Sequence, residues 1–137
     1  MIQNMKHKPV SYIGKLSLRE LAGLISEAEV LVCNDSAPMH IAAAVGTPTV
    51  AIFGPSKSVE TGPYGRNHIV VEETFACRET CDESRCTNRE HHACMKAITA
   101  ENVFRAERIR ARLQFFEQSQ AVPAPAANAR RRRAAAF

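Results

Sequence analysis

The sequence predicts an α/β fold in which a parallel sheet is flanked by helices, and three observations predict it. Val30-Leu31-Val32-Cys33 and Thr49-Val50-Ala51-Ile52-Phe53 are unbroken apolar runs of strand length, as expected of strands covered on both faces. Segments with helical spacing precede and separate them, so strands and helices alternate as in βαβ units with right-handed crossovers. Each strand then ends in turn chemistry, Asn34-Asp35-Ser36 after the first and Gly54-Pro55 after the second. That is where open parallel sheets collect ligands.

The elements follow in order. Residues 1–9 are polar and are expected to be disordered. Val10-Ser11-Tyr12-Ile13 reads as a short strand closed by Gly14. Ser17-Leu18-Arg19-Glu20 has the S-x-x-E form of a capping box, and Leu18, Leu21, Ala22, Ile25 and Ala28 continue an amphipathic helix to about residue 28. The strand at 30–33 follows. Met39 to Val45 is Ala-rich and helix-compatible, with Gly46 as its stop. After the strand at 49–53, Thr61-Gly62-Pro63-Tyr64-Gly65 is a turn, and His68-Ile69-Val70-Val71 reads as one more strand. Residues 77–94 have no clear period. Thr99 caps a last helix whose apolar stripe is Val103, Ala106, Ile109, Leu113 and Phe116. Residues 119–137 are an Ala/Pro/Arg tail with the composition of disorder. About three or four strands are visible, against the about five or six of a self-contained doubly wound sheet. The ordered part therefore reads as half of such a domain, either a truncated chain or one that depends on a partner.

With 137 residues, 45% hydrophobic and 23% charged, the chain has room for one globular domain. It has neither the roughly 18-residue apolar run of a membrane span nor the apolar core of an N-terminal export signal, so a cytoplasmic protein is expected. The net charge of +4 comes entirely from Arg130–Arg133, which leaves 14 basic and 14 acidic residues in the body of the chain. A nucleic-acid partner is not expected, because a binder carries its excess on a folded face. The arginine tail is either solvated or able to touch anionic lipid.

The chemistry concentrates in Asn34-Asp35-Ser36-Ala37-Pro38-Met39-His40, where a carboxylate, a hydroxyl and an imidazole stand at a strand-to-helix junction. With Ser36 as N-cap, Pro38 falls in the first turn and His40 lies on the same face as Ser36. Free backbone N–H groups, the positive helix end and His40 would converge on an anion such as a diphosphate. Asp35 would repel phosphate and suits sugar hydroxyls better. The plain alternative is that Asp35 or Ser36 only caps the helix and His40 only packs.

Asn34-Asp35-Ser36-Ala37-Pro38-Met39-His40-Ile41-Ala42-Ala43-Ala44, with Gly46-Thr47-Pro48 and Phe53-Gly54-Pro55-Ser56, resembles the donor-site signature of glycosyltransferase family 9, the heptosyltransferases of lipopolysaccharide core synthesis. Gly14 to Leu21, Gly62-Pro63-Tyr64-Gly65 and the run from Cys77 to Met95 sit where that family has similar segments, so the resemblance covers roughly residues 10–110. It implies part of the C-terminal, Rossmann-like domain of a two-domain GT-B enzyme, spanning residues 10–118. Such enzymes transfer heptose from ADP-heptose to a lipid A–core acceptor with inversion and without a metal or other cofactor. By this carry-over Asp35 holds heptose hydroxyls, Ser36 and Ala37 meet the diphosphate, His40 supports it, and Gly54, Pro55 and Ser56 form a neighbouring wall. The resemblance also implies work at the cytoplasmic face of the inner membrane. Ala37 departs from the pattern, which usually has Gly there. The family's catalytic carboxylate belongs to its N-terminal domain, so no catalytic residue is assigned in this chain and it is expected to be inactive alone. The alternatives are a non-catalytic sugar-nucleotide-binding module and a metal-stabilised interaction module.

That last alternative rests on Cys77, Cys81, Cys86 and Cys94, which with His91 and His92 fall within 18 residues. Their spacings differ from the paired C-x2-C knuckles of zinc modules, so reduced thiols packing an irregular loop are expected and no metal is assigned. Cys33 reads as a small core residue. Gly14-Lys15 lacks the rest of a phosphate-binding loop and reads as a turn. Lys57 reads as a solvated lysine, His68 as the start of a strand, and Arg105, Arg108, Arg110 and Arg112 as a solvated helix face.

Overall fold

The computed structural model describes residues 7–82 and 84–108. The first helix, α1 (Leu18–Ser26), starts at the expected capping box. The Ser17 backbone N–H donates to Glu20 Oε2 at 2.8 Å, and the Glu20 N–H returns to Ser17 Oγ at 3.4 Å. The Ser17 hydroxyl, which donates to Glu20 Oε2 at 2.7 Å, and then the Ser17 N–H hold the Glu20 carboxyl below its ordinary range. The helix turns its one fully buried residue, Ile25, inward.

β1 (Leu31–Asn34), α2 (Ala37–Val45) and β2 (Thr49–Phe53) follow, then the single-turn α3 (Ser58–Thr61) and β3 (His68–Glu72). α2 closes at Gly46, whose φ of 83° lies in the left-handed region that a side chain would strain. The three strands form one parallel sheet in the order β1-β2-β3, with Leu31 opposite Thr49 and Thr49 opposite His68. A 3₁₀ turn at Ala76–Glu79 and a short α4 (Ala93–Lys96) organise the segment after β3. Residues 100–108 are helical, entered through Thr99, whose N–H donates to Asn102 Oδ1 at 2.8 Å while the Asn102 N–H returns to Thr99 Oγ1 at 3.2 Å.

The core lies between α2 and the middle strand. Met39, Ala51 and Phe53 form its centre, and Cys33 packs against them. β2, flanked on both edges, has Thr49, Val50, Ala51 and Phe53 wholly out of solvent. The helices are joined by Thr47, whose buried hydroxyl donates to the Ile25 carbonyl at 2.8 Å and fastens α2's C-terminal end to α1.

Three expectations need correction. Val10–Ile13 form no strand: Val10 and Ile13 are 77% and 86% exposed, and the chain instead turns, with the Lys15 N–H on the Tyr12 carbonyl at 3.0 Å and Gly14 at φ 69°. The turn closed by that bond takes the place of extended backbone. β1 is not covered on both faces, since its residues alternate between half-buried and exposed and Val32 is 46% exposed. An apolar run records that both faces are apolar, whereas coverage depends on what packs there, and β1 is an edge strand. Finally, α1 ends at Ser26, two residues short of the expected limit. The N-terminal residues 1–6, the outer stripe at Ile109, Leu113 and Phe116, Arg110 and Arg112, and the tail at 119–137 lie outside the described residues.

Candidate functional site

The strand-to-helix junction is fixed by the sheet itself. The Asp35 N–H donates to the Ile52 carbonyl at 3.2 Å, extending the β1–β2 ladder by one residue, so the carboxylate leaves the sheet at its carboxyl edge. Asp35 is half-buried and accepts a hydrogen bond from Thr61 Oγ1 at 3.1 Å, which holds one carboxylate oxygen, Oδ2. The Thr61 hydroxyl also lies 3.3 Å from the Lys57 carbonyl, so its single proton serves two acceptors.

Ser36 is the N-cap of α2 by backbone geometry, but its side chain does not cap. Its hydroxyl donates back to the Asn34 carbonyl at 3.1 Å. Of the first-turn amides, that of Met39 turns onto the Ser36 carbonyl at 3.0 Å and Pro38 has none, which leaves that of Ala37 without an intrahelical acceptor. This is the local arrangement that receives an anion, with the helix dipole behind it. Ser36, Ala37 and His40 are all exposed on this turn. Among the described residues His92 is the only non-glycine at positive φ, so Ala37 takes its place in the helix without strain.

A cavity of about 280 Å³ opens beside the junction, lined by Asn34, Asp35, Ile52, Gly54, Pro55, Ser56, His92 and Met95. The structure thus brings Asp35 together with Gly54, Pro55 and Ser56, while Ser36, Ala37 and His40 lie outside this lining. Parallel pairing explains the meeting: the loops after β1 and β2 leave adjacent strands at the same edge. Gly54 is buried against α4, where an added Cβ would come within 2.6 Å of Met95 Sδ.

Thr61, Met95 and Arg78 were not singled out from the sequence, and His92 was named there only as a neighbour of the cysteines. His92 and Met95 come from about sixty residues downstream of Asp35, and no local pattern marks them as its neighbours. Arg78 ties that downstream segment to the site. Its Nη2 donates to the Ser56 carbonyl at 2.7 Å and to Glu72 Oε2 at 2.6 Å. The Arg78 hydrogen bond, helped by that of Ser58, holds the Glu72 carboxyl below its ordinary range. Lys57 pairs with Glu60 at 3.5 Å on the surface, and His68 opens β3 as expected. Cys77, Cys81, Cys86 and Cys94 are half-buried free thiols in the β3–α4 connection and around α4, and Cys33 is free in the core. Among the described residues, no three His, Cys, Asp or Glu side chains group to hold a metal ion.

Comparison with known proteins points in one direction. The family profile Glycosyltransferase family 9 (heptosyltransferase) matches residues 1–92. Lipooligosaccharide heptosyltransferase 2 of Campylobacter jejuni is 36% identical over 102 residues, covering 74% of this chain and 31% of that protein. Lipopolysaccharide heptosyltransferase 3 of Escherichia coli is 40% identical over 68 residues, or 49% of this chain and 20% of that protein. The crystal structure of a family 9 glycosyl transferase from Veillonella parvula superposes with a TM-score of 0.65 at 28% identity, covering 80% of this chain and 31% of that one. The chain therefore spans between about a fifth and a third of the length of these longer proteins.

Proposed function

Because the chain belongs to glycosyltransferase family 9, we propose that it supplies the sugar-nucleotide side of a heptosyltransferase, with ADP-heptose as donor and a lipopolysaccharide inner-core acceptor. The observation that carries the reading is the Asp35 carboxylate, held by Thr61 at the carboxyl edge of β1 and facing a cavity beside the N-terminal turn of α2. Asp35 accepts hydrogen bonds from sugar hydroxyls through the oxygen that Thr61 leaves open. The Ala37 amide, the Ser36 hydroxyl and His40 take the diphosphate on the exposed turn, where the helix end favours negative charge. The loop Gly54-Pro55-Ser56 forms the facing wall.

General base catalysis needs a base within hydrogen-bond reach of the attacking hydroxyl. The assignment for this chain is donor binding, and no residue of it is assigned as that base. A second reading is recruitment of the sugar nucleotide without transfer. Heptosyl transfer assayed with the acceptor domain of a relative added separates the two, since only the first reading yields transfer. No helix among the described residues is long and apolar enough to cross a membrane. The proposed working place is the cytoplasmic face of the inner membrane, where a lipid-linked acceptor would be met.

The test is a thermal-unfolding titration with ADP and ADP-heptose, run beside Asp35→Ala and His40→Ala. A ligand at a hundred times its dissociation constant stabilises the native state by about 2.7 kcal/mol. The expected result is a shift with ADP-heptose that is reduced in both variants, with Asp35→Ala weakening ADP-heptose more than ADP. A cooperative transition indifferent to both ligands overturns the reading.

A further inference from the structure

Away from the donor cavity, the connection between β3 and α4 gathers three sulfurs, each of which receives a fixed N–H donor. Asn88 Nδ2 donates to Cys77 Sγ at 3.2 Å, the Thr87 backbone N–H to Cys81 Sγ at 3.2 Å, and the His92 backbone N–H to Cys86 Sγ at 3.4 Å. Cys81 collects the most. The Thr87 hydroxyl lies 3.3 Å from its sulfur, the Cys81 backbone N–H donates to the Cys77 carbonyl at 2.8 Å, and Cys86 directly precedes Thr87 in the chain.

Five half-buried free cysteines are present, so exposure alone does not rank them. Hydrogen bonding does. Donors aimed at a sulfur favour its anion over the neutral thiol, and the Thr87 hydroxyl and N–H together hold the Cys81 thiol below its ordinary range. Cys33 is the opposite case, where burial, followed by the charge of Asp35, pushes the thiol up.

We infer that Cys81 is a modification site, the peroxide-reactive thiolate of this chain, with Cys77 and Cys86 as the adjacent thiols that convert its oxidised form into a disulfide. In the first step the Cys81 sulfur attacks the O–O bond of hydrogen peroxide. An S–O bond forms, the O–O bond breaks, hydroxide leaves and takes up a proton, and the sulfur is oxidised by two electrons to a sulfenic acid. In the second step the sulfur of Cys77 or Cys86 attacks that of Cys81. The S–S bond forms, the S–O bond breaks, and the departing hydroxide leaves as water with the proton of the attacking thiol. This inference stands apart from the donor-site reading and does not require it.

The experiment is competitive labelling of the reduced full chain with limiting iodoacetamide at pH 7, read by peptide mass spectrometry, followed by mapping of disulfides after hydrogen peroxide. Cys81 is expected to label severalfold faster than Cys33, since the Thr87 donors favour the thiolate at Cys81 while burial disfavours it at Cys33. Peroxide is expected to give an intramolecular disulfide containing Cys81, lost in Cys81→Ser and retained in Cys33→Ser. Equal labelling of all five cysteines, as in the urea-unfolded chain, overturns the inference. So does a Cys77–Cys86 disulfide that forms in Cys81→Ser at the wild-type rate. One equivalent of zinc copurifying with the three thiols blocked until it is chelated overturns it too, by making the cluster a metal centre. Should Cys81→Ser fail to fold, the labelling order in the wild-type chain decides.

Discussion

Replacing Arg78 with methionine tests whether one guanidinium fastens the β3–α4 connection to the candidate site. The Arg78–Glu72 pair is only 15% and 29% exposed, well short of a surface ion pair worth about 0–1 kcal/mol. A hydrogen bond to a charged group is worth about 1.5–3 kcal/mol, and the bond to the Ser56 carbonyl adds about 1 kcal/mol. Against this, Arg78 Nε is buried without a hydrogen-bond partner, and removing it recovers about 1 kcal/mol. The net expectation for Arg78→Met at pH 7 is a loss of about 2 kcal/mol, or of order 10 °C in Tm for a domain of this size. Because the Glu72 carboxyl is held below its reference value of 4.5, its contribution is complete above that pH and is lost as pH falls through the lowered value. Unfolding followed by circular dichroism from pH 7 to pH 3 should therefore show the gap between wild type and variant narrowing. Equal stability at pH 7 would refute the fastening, and a gap that does not change with pH would refute the role of the charge.

Two further substitutions test the packing that shapes the site. Gly54→Ala places a Cβ 2.6 Å from Met95 Sδ and 3.1 Å from its Cγ, so the methionine must rotate. A cost of about 1 kcal/mol is expected, and a Met95→Ala background should remove most of it in a double-mutant cycle measured by urea unfolding. Additive effects would contradict the contact. Thr47→Val deletes the buried bond to the Ile25 carbonyl, for an expected loss of about 1–1.5 kcal/mol with donor affinity unchanged. A loss of ligand binding without a loss of stability would show that α1 and α2 are coupled to the site in some other way.

Local chemistry by itself determined much of this protein. The Ser17–Glu20 capping box, the stop at Gly46, the apolar run of β2 and the Asx-rich junction at Asn34–Ser36 are each decided within a few residues. They were legible because hydrogen bonds of short span and the allowed backbone angles depend little on the rest of the chain. The family resemblance was legible for the same reason, since its central motif is one continuous stretch.

Tertiary structure decided the rest. The runs 10–13 and 30–33 look alike as apolar segments, yet one turns in solvent and the other becomes an edge strand with Val32 half in water. Pairing and coverage belong to the neighbours of a strand and leave no mark on its own sequence. The same holds for the wall opposite Asp35. Thr61, His92 and Met95 reach it only because parallel β1 and β2 end at the same edge and Arg78 draws the later segment onto the Ser56 loop. Such long-range contacts are set by packing geometry, which a linear pattern of residues does not encode at any fixed spacing.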